Sequence, residues 1–275
     1  LAVLGAAVLA LLTLLPGTSG AGATTTVPAF GHIVVVMEEN HSYADIIGSP
    51  DAPYINSLAN HGAKFTSSYG VTHPSEPNYL ALFSGSTHGL TADDCPLHYP
   101  GNSLGQEVLD AGKTFAGYAQ GLPSQGSMVC TSGAYARKHV PWTDFNLPTS
   151  TNKRWNQFPA SYSNLPRLSF VIPDLNHDMH DGTVTEADTW LKDHLNAYVT
   201  WARTHNSILV LTWDEDDHSA NNHIPTIIVG AHVRTRAFAV HITHYSVLRT
   251  LEDSLRVRHV GAAQTATSIT NIWTP

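Results

Sequence analysis

The sequence predicts an α/β fold: a mainly parallel central sheet with helices on both faces. Three observations carry that prediction. Five short apolar runs, at 32–37, 114–118, 167–172, 207–213 and 225–230, are bounded by polar or Gly/Pro residues, as strands are. Helical patterns fall between several of them, and strand–helix alternation favours a parallel sheet whose crossovers are helices. The first run, Ile33 to Val36, is β-branched throughout, which suits a strand covered on both faces.

In chain order, Leu1 to Leu15 is an almost unbroken Leu/Ala/Val run, followed by small residues from Pro16 to Ala23. It reads as a signal peptide over 1–23, lacking its first residues because no initiator Met or basic segment precedes it. A membrane anchor is the competing reading, but the run is shorter than the ~20 residues a bilayer requires. The expectation is a secreted protein without a stable membrane anchor, a mature start near Thr24 and a single domain over 24–275. Tyr54 to His61 and Tyr79 to Phe83 read as short helices. Glu186 to Thr204 carries Trp190, Leu191, Leu195, Tyr198, Val199 and Ala202 at helical spacing, and Thr243 to Leu255 is a further helix. The segment 95–166 differs, being rich in Gly, Ser, Pro, Asn and aromatics with weak periodicity. It reads as an irregular insertion able to shape a site rim. Cys95 and Cys130 are the only cysteines, and an exported chain with two commonly pairs them; two free buried thiols are the alternative.

The 275 residues carry a formal net charge of −8 and no Lys/Arg run, which argues against nucleic acid as a partner. Histidines number 17 against 14 lysines and arginines, so the charge changes strongly between neutral and mildly acidic pH. A monomer working below neutrality is expected.

Four polar strings stand where strands end: Glu39-Asn40-His41-Ser42, Thr72 to Tyr79, Pro173 to Gly182, and Thr212 to His218. Ligands of open α/β sheets collect at the carboxyl ends of strands. Carboxylates gathered there repel one another unless protons or a cation neutralise them, and hard oxygen donors suit calcium, magnesium or manganese. Asp214 and Glu215 directly follow the strand at 207–213, whereas Asp216 and Asp217 fit a solvated turn equally well. Ser75 lies near a helix N-terminus, where it is either a cap or a nucleophile beside an anion site. His177 and His180 could bind metal, bind an anion or protonate a leaving group.

Glu39-Asn40-x-Ser42, Pro74-Ser75-x-Pro77-Asn78 with Ser84-x-x-x-His88-Gly89, His177-Asp178-Met179-His180-Asp181 and Trp213-Asp214-Glu215 together resemble the phosphoesterase family of bacterial acid phosphatases and non-specific phospholipases C. That resemblance implies an alkaline-phosphatase-like fold and a metal-dependent phosphoric ester hydrolase. By resemblance Ser75 is the nucleophile, and Glu39, Asn40, Asp214 and Glu215 hold a divalent cation with it. His180, or else His177, serves as general acid; Asn78, His88 and Asp178 meet the substrate. His41 and Tyr43 depart from the family's usual Arg and Phe. The substrate implied is a small phosphomonoester, as for an acid phosphatase forming a phosphoseryl intermediate. A phospholipase C acting on phospholipids is the first alternative, and a non-catalytic secreted metal- or phosphate-binding protein the second. A serine carboxylesterase is the weakest reading, because Gly85-Ser86-Thr87-His88-Gly89 has Thr at the elbow's centre.

Overall fold

A computed structural model of the chain describes residues 1–2 and 26–274. All but the first two residues of the leader segment lie outside it. Eight strands form the central sheet: β1 (His32–Glu38), β2 (Ala63–Phe65), β3 (Phe115–Ala119), β4 (Asn152–Arg154), β5 (Leu168–Ile172), β6 (Ser207–Trp213), β7 (Thr226–Gly230) and β8 (Arg236–Phe238). Their spatial order is β8-β2-β7-β6-β1-β5-β3-β4. Only β7 in this sheet runs against the rest. The five predicted apolar runs are β1, β3, β5, β6 and β7. The three-residue strands β2, β4 and β8 are too short to show a period.

Strand β1 shows why both faces are covered. Successive side chains point to opposite faces, so Ile33, Val35 and Met37 enter one core while Val34 and Val36 enter the other. The first core is closed by α3 (Ser75–Ser84), α4 (Leu104–Asp110) and α6 (His244–Leu255), through Leu80, Phe83, Val108, Leu248 and Leu251. The second is closed by α2 (Pro53–Asn60) and α5 (Val184–Ala202), through Ile55, Leu58, Leu191, Leu195 and Val199. A one-turn helix, α1 (Tyr43–Ile46), follows β1. Thr183 starts α5 with a capping box, its hydroxyl accepting from the Glu186 amide while Glu186 reaches back. Helix α3 is buried along its whole length, and such a helix belongs to the core rather than the surface.

The segment 95–166 is only partly irregular, since it contains α4 and β3. Its irregular stretch, 120–151, is a chain of short turns and a two-stranded hairpin (Thr131–Ser132 with Tyr135–Ala136). Cys95 and Cys130 are disulfide-bonded, with Cα atoms 5.8 Å apart, and the bond ties this stretch to the loop after α3. Trp142 lies flat on β3 over Gly117, where an added Cβ would stand 2.1 Å from the indole. Among the described residues no helix is long and apolar enough to cross a membrane.

Candidate active site

Strands β5, β1 and β6 are adjacent and parallel, so their carboxyl ends open on one edge. The register pairs Glu38 with Trp213, which sets Glu39 beside Asp214. The backbone locks that pairing: the Asp214 amide donates to the Glu38 carbonyl at 3.0 Å, and the Glu39 amide to the Asp178 carbonyl at 2.8 Å. Asn40 then turns the chain at φ 45°, a left-handed conformation Asn tolerates, and its amide donates to Asp214 Oδ1 at 3.2 Å.

Ser75 is the first residue of α3 and is 2 % exposed. Pro74 occupies the cap position, so the serine hydroxyl is free of capping work and faces the strand ends. Its Oγ donates to Glu39 Oε2 at 2.9 Å and stands 3.4 Å from both Asn40 Oδ1 and Glu215 Oε1. The other oxygen of Glu39 accepts from Tyr79 O–H and lies 3.2 Å from His139 Nε2. Asp178 stands behind His139, with Oδ2 3.2 Å from Nδ1, and its Oδ1 accepts the His180 amide at 2.9 Å. His73 presents its two ring nitrogens to Glu215 Oε2 at 2.9 Å and Asp216 Oδ1 at 3.3 Å. Buried His244, at the head of α6, hydrogen-bonds the Asp214 carbonyl at 2.6 Å.

Burial makes this group of acids hard to ionise. It pushes Asp214 up to about 7 and Asp178 to about 7, and with the charge of Asp214 it pushes Glu215 to about 9. Glu39 is raised well above the carboxylate range by burial, then by Asp214 and Asp178. His139 is held well below its ordinary value, by burial first and then by Lys138 and His180. Such a place is short of positive charge, and Asp214 Oδ2 is buried with no hydrogen-bond partner. Both facts fit a cation. Glu39, Asn40, Asp214, Glu215 and the Ser75 hydroxyl offer the oxygen donors a hard cation takes. Glu39, His139 and His180 also place one donor atom each within 4.8 Å of one another, a mixed nitrogen–oxygen set.

The predicted ligands Glu39, Asn40, Ser75, Asp214 and Glu215 therefore converge, with His180 beside them. His177 does not join them: its Nδ1 faces Asp174 Oδ1 at 2.7 Å and its ring lines an open groove with Trp190 and His194 of α5. The three residues expected to meet substrate all hold contacts within the protein, and Asn78 Nδ2 also donates to Glu215 Oε2 at 3.4 Å. Asn78 spends its amide on the Val71 and Thr72 N–H groups and the Thr72 and Pro74 carbonyls, which folds the loop leading to Ser75. His88 faces Ser84 Oγ at 2.9 Å and stacks on Tyr99, and Asp178 supports His139 and His180. His218 stacks on His73, and His223 stacks between Tyr43 and Tyr69. Sequence reasoning missed His139 and Lys138, which come from the turn Arg137–His139 in the irregular stretch. It also gave no role to His73 and Tyr79, although both flank Ser75 closely enough to be found.

The sequence matches the Phosphoesterase family over residues 49–258. The chain belongs to that family. The family acts on phosphoric esters, and the phosphoesterase described here is a hydrolase of that class. Glu39 and Asn40 precede the matched span. The phosphoesterase is 51 % identical over 255 residues to a phosphatidylinositol-3-phosphatase of Mycobacterium tuberculosis, covering 91 % of this chain and 85 % of that one. It is 32 % identical to a phosphate-repressible acid phosphatase of Penicillium chrysogenum, over 75 % of this chain and 55 % of the relative, and 29 % identical to an acid phosphatase of Aspergillus niger, over 84 % and 60 %. It thus spans a little over half the length of these two fungal relatives. Two solved structures share the fold. One is the lipoteichoic acid synthase LtaP of Listeria monocytogenes, with TM-score 0.60 and 12 % identity over 90 % of this chain and 78 % of that one. The other is an alkaline phosphatase superfamily protein of Vibrio parahaemolyticus, with TM-score 0.58 and 13 % identity over 89 % and 74 %.

Proposed function

We propose that this phosphoesterase is an exported, metal-assisted phosphomonoesterase that works through a phosphoseryl intermediate at Ser75. One observation carries the reading: a serine at the head of a buried helix donates to Glu39 and is ringed by Asn40 and Glu215. Ser75 Oγ gives up its hydroxyl proton to water and bonds to phosphorus as the ester P–O bond breaks. His180 protonates the departing oxygen. A water molecule then attacks the phosphoseryl group, returning the serine and releasing phosphate. A divalent cation held by Glu39, Asn40, Asp214 and Glu215 would supply charge stabilisation for the serine oxygen and the phosphoryl group.

The mycobacterial relative's name supports a phosphomonoester on a lipid headgroup, alongside small soluble monoesters. The leader-like segment at 1–23 and the Cys95–Cys130 disulfide support export. The test is hydrolysis of p-nitrophenyl phosphate and of vesicles bearing phosphatidylinositol 3-phosphate or phosphatidylcholine, with and without chelator. Phosphate release from the monoesters, abolished by chelator and by Ser75→Ala, is expected. Diacylglycerol release from phosphatidylcholine would replace the reading with a phospholipase C, and phosphate binding without turnover would replace it with a binding protein.

A further inference from the structure

Lys138 stands on the turn Arg137–His139, one residue before the buried His139. Its ammonium makes two contacts, Asp93 Oδ2 at 2.8 Å and His180 Nε2 at 3.4 Å. The other oxygen of Asp93 accepts the main-chain N–H of Glu76 at 3.0 Å, and Glu76 directly follows Ser75. A carboxylate thus bridges a cationic side chain and an amide at the head of the helix carrying the nucleophile. Phosphoryl oxygens take the same pair of partners, an ammonium and an N-terminal helix amide. These neighbours form a ring: Ser75 bonds Glu39, a Glu39 oxygen lies within 4.8 Å of a His180 ring nitrogen, His180 meets Lys138, Lys138 meets Asp93, and Asp93 returns to the residue after Ser75.

A dianionic phosphoryl group entering that ring meets Glu39, Asp214 and Glu215, and needs cationic partners beyond a bound metal. The neighbouring Arg137 cannot serve, because it is buried and its guanidinium is spent on Asp144, Thr143 and the Met128 and Leu97 carbonyls. Lys138 can, since its side chain is 23 % exposed and its partner Asp93 25 %. Each end of the pair keeps an edge to solvent, so the ammonium can leave the carboxylate for another anion without stranding it in the core.

We propose that Lys138 grips the phosphoryl oxygens of the substrate, and that Asp93 is its internal competitor, holding the ammonium at the site until phosphate displaces the carboxylate. This rests on the phosphomonoesterase reading for its substrate, though not for its measurement. The experiment is calorimetric titration of the full chain with inorganic phosphate at fixed magnesium, comparing wild type with Lys138→Met, Lys138→Arg and Asp93→Asn. Lys138→Met is expected to weaken phosphate binding about tenfold or more, the worth of one charged hydrogen bond. Lys138→Arg retains most of the affinity, and Asp93→Asn tightens it severalfold. With p-nitrophenyl phosphate, Lys138→Met raises KM more than it lowers kcat.

A merely structural ion pair predicts something else: Lys138→Met and Asp93→Asn weaken binding alike, or leave it alone while lowering Tm. Either result overturns the proposal, as does a wild type that binds no phosphate. Should Lys138→Met fail to fold, Lys138→Gln and the opposite sign expected of Asp93→Asn carry the test. Lys138-dependent phosphate binding without ester hydrolysis would remove the phosphomonoesterase reading and leave this one standing. Hydrolysis with phosphate affinity unmoved in Lys138→Met does the reverse.

Discussion

Glu38 and Glu39 are consecutive glutamates with opposite fates. Strand alternation sends Glu39 to the site, where each oxygen has partners, while Glu38 is buried with neither oxygen hydrogen-bonded. The string Glu-Glu-Asn announces chemistry at a strand end, and the resemblance chose Glu39; alternation alone leaves the choice between the two glutamates open. His139 and Lys138 were not legible, because they reach the site through packing across a stretch that has no periodicity. The raised carboxyls make a prediction of sign. A cation must expel protons from Asp214, at about 7, and from Glu215, at about 9, so cation affinity should rise steadily from about pH 5 to about pH 8. Cation titrations across that range check it, and a flat profile would remove these residues from the ligand set. Asp214→Asn should weaken cation binding at every pH. Loss of the cation would then set the acid limit of activity, which works against the mildly acidic preference suggested by the many histidines.

Helix α5 was legible by its apolar stripe, read from Glu186 although the helix starts at Val184 behind the Thr183 cap. Helix α4 was hidden, since only seven residues of pattern sit inside a Gly- and Ser-rich stretch. Asp188 shows how elements lock together beyond pattern. From α5 its two oxygens accept the Tyr54 and Ile55 amides at 3.0 and 2.7 Å, capping α2 where Ala52 offers no side-chain acceptor. Asp188→Ala would strand two amides and should cost about 2 kcal/mol or more, lowering Tm by several degrees. Buried Glu252 on α6 gives a pH signature. One oxygen accepts the Val260 amide, the other has no partner, and burial pushes the carboxyl up to about 8. Its protonated form suits the fold, so its contribution is complete below the ordinary carboxylate range and is lost as pH rises through about 8. Glu252→Gln should therefore flatten the fall of Tm on the alkaline side, and an unchanged Tm–pH curve would show that the residue ionises without cost.

At the scale of the whole molecule, the site is assembled from five separated segments: the ends of β1, β5 and β6, the head of α3, and the turn at 137–139. The three strand ends were readable because parallel strands deliver their ends to one edge and each carries a polar string, and the head of α3 because its own polar string precedes a helical run, although it follows no strand of the central sheet. The fifth is held by the buried Arg137 side chain and, through the Arg137 amide on the Cys130 carbonyl, adjoins the Cys95–Cys130 bond. Replacing both cysteines by serine should lower stability by about 2–4 kcal/mol and, through the displaced turn, reduce affinity for phosphate. Unfolding followed with and without reductant checks the first effect. Chelation should lower Tm as well as activity, by an amount set by cation concentration over Kd, and re-addition should restore both.

The carboxylates stand on strand ends whose positions the sheet dictates, whereas Lys138 and His139 hang from one loop fastened by a single covalent tie. A substitution within 120–151 therefore reaches the site from outside the sheet, whereas one within a strand reaches it through the backbone register that pairs Glu38 with Trp213.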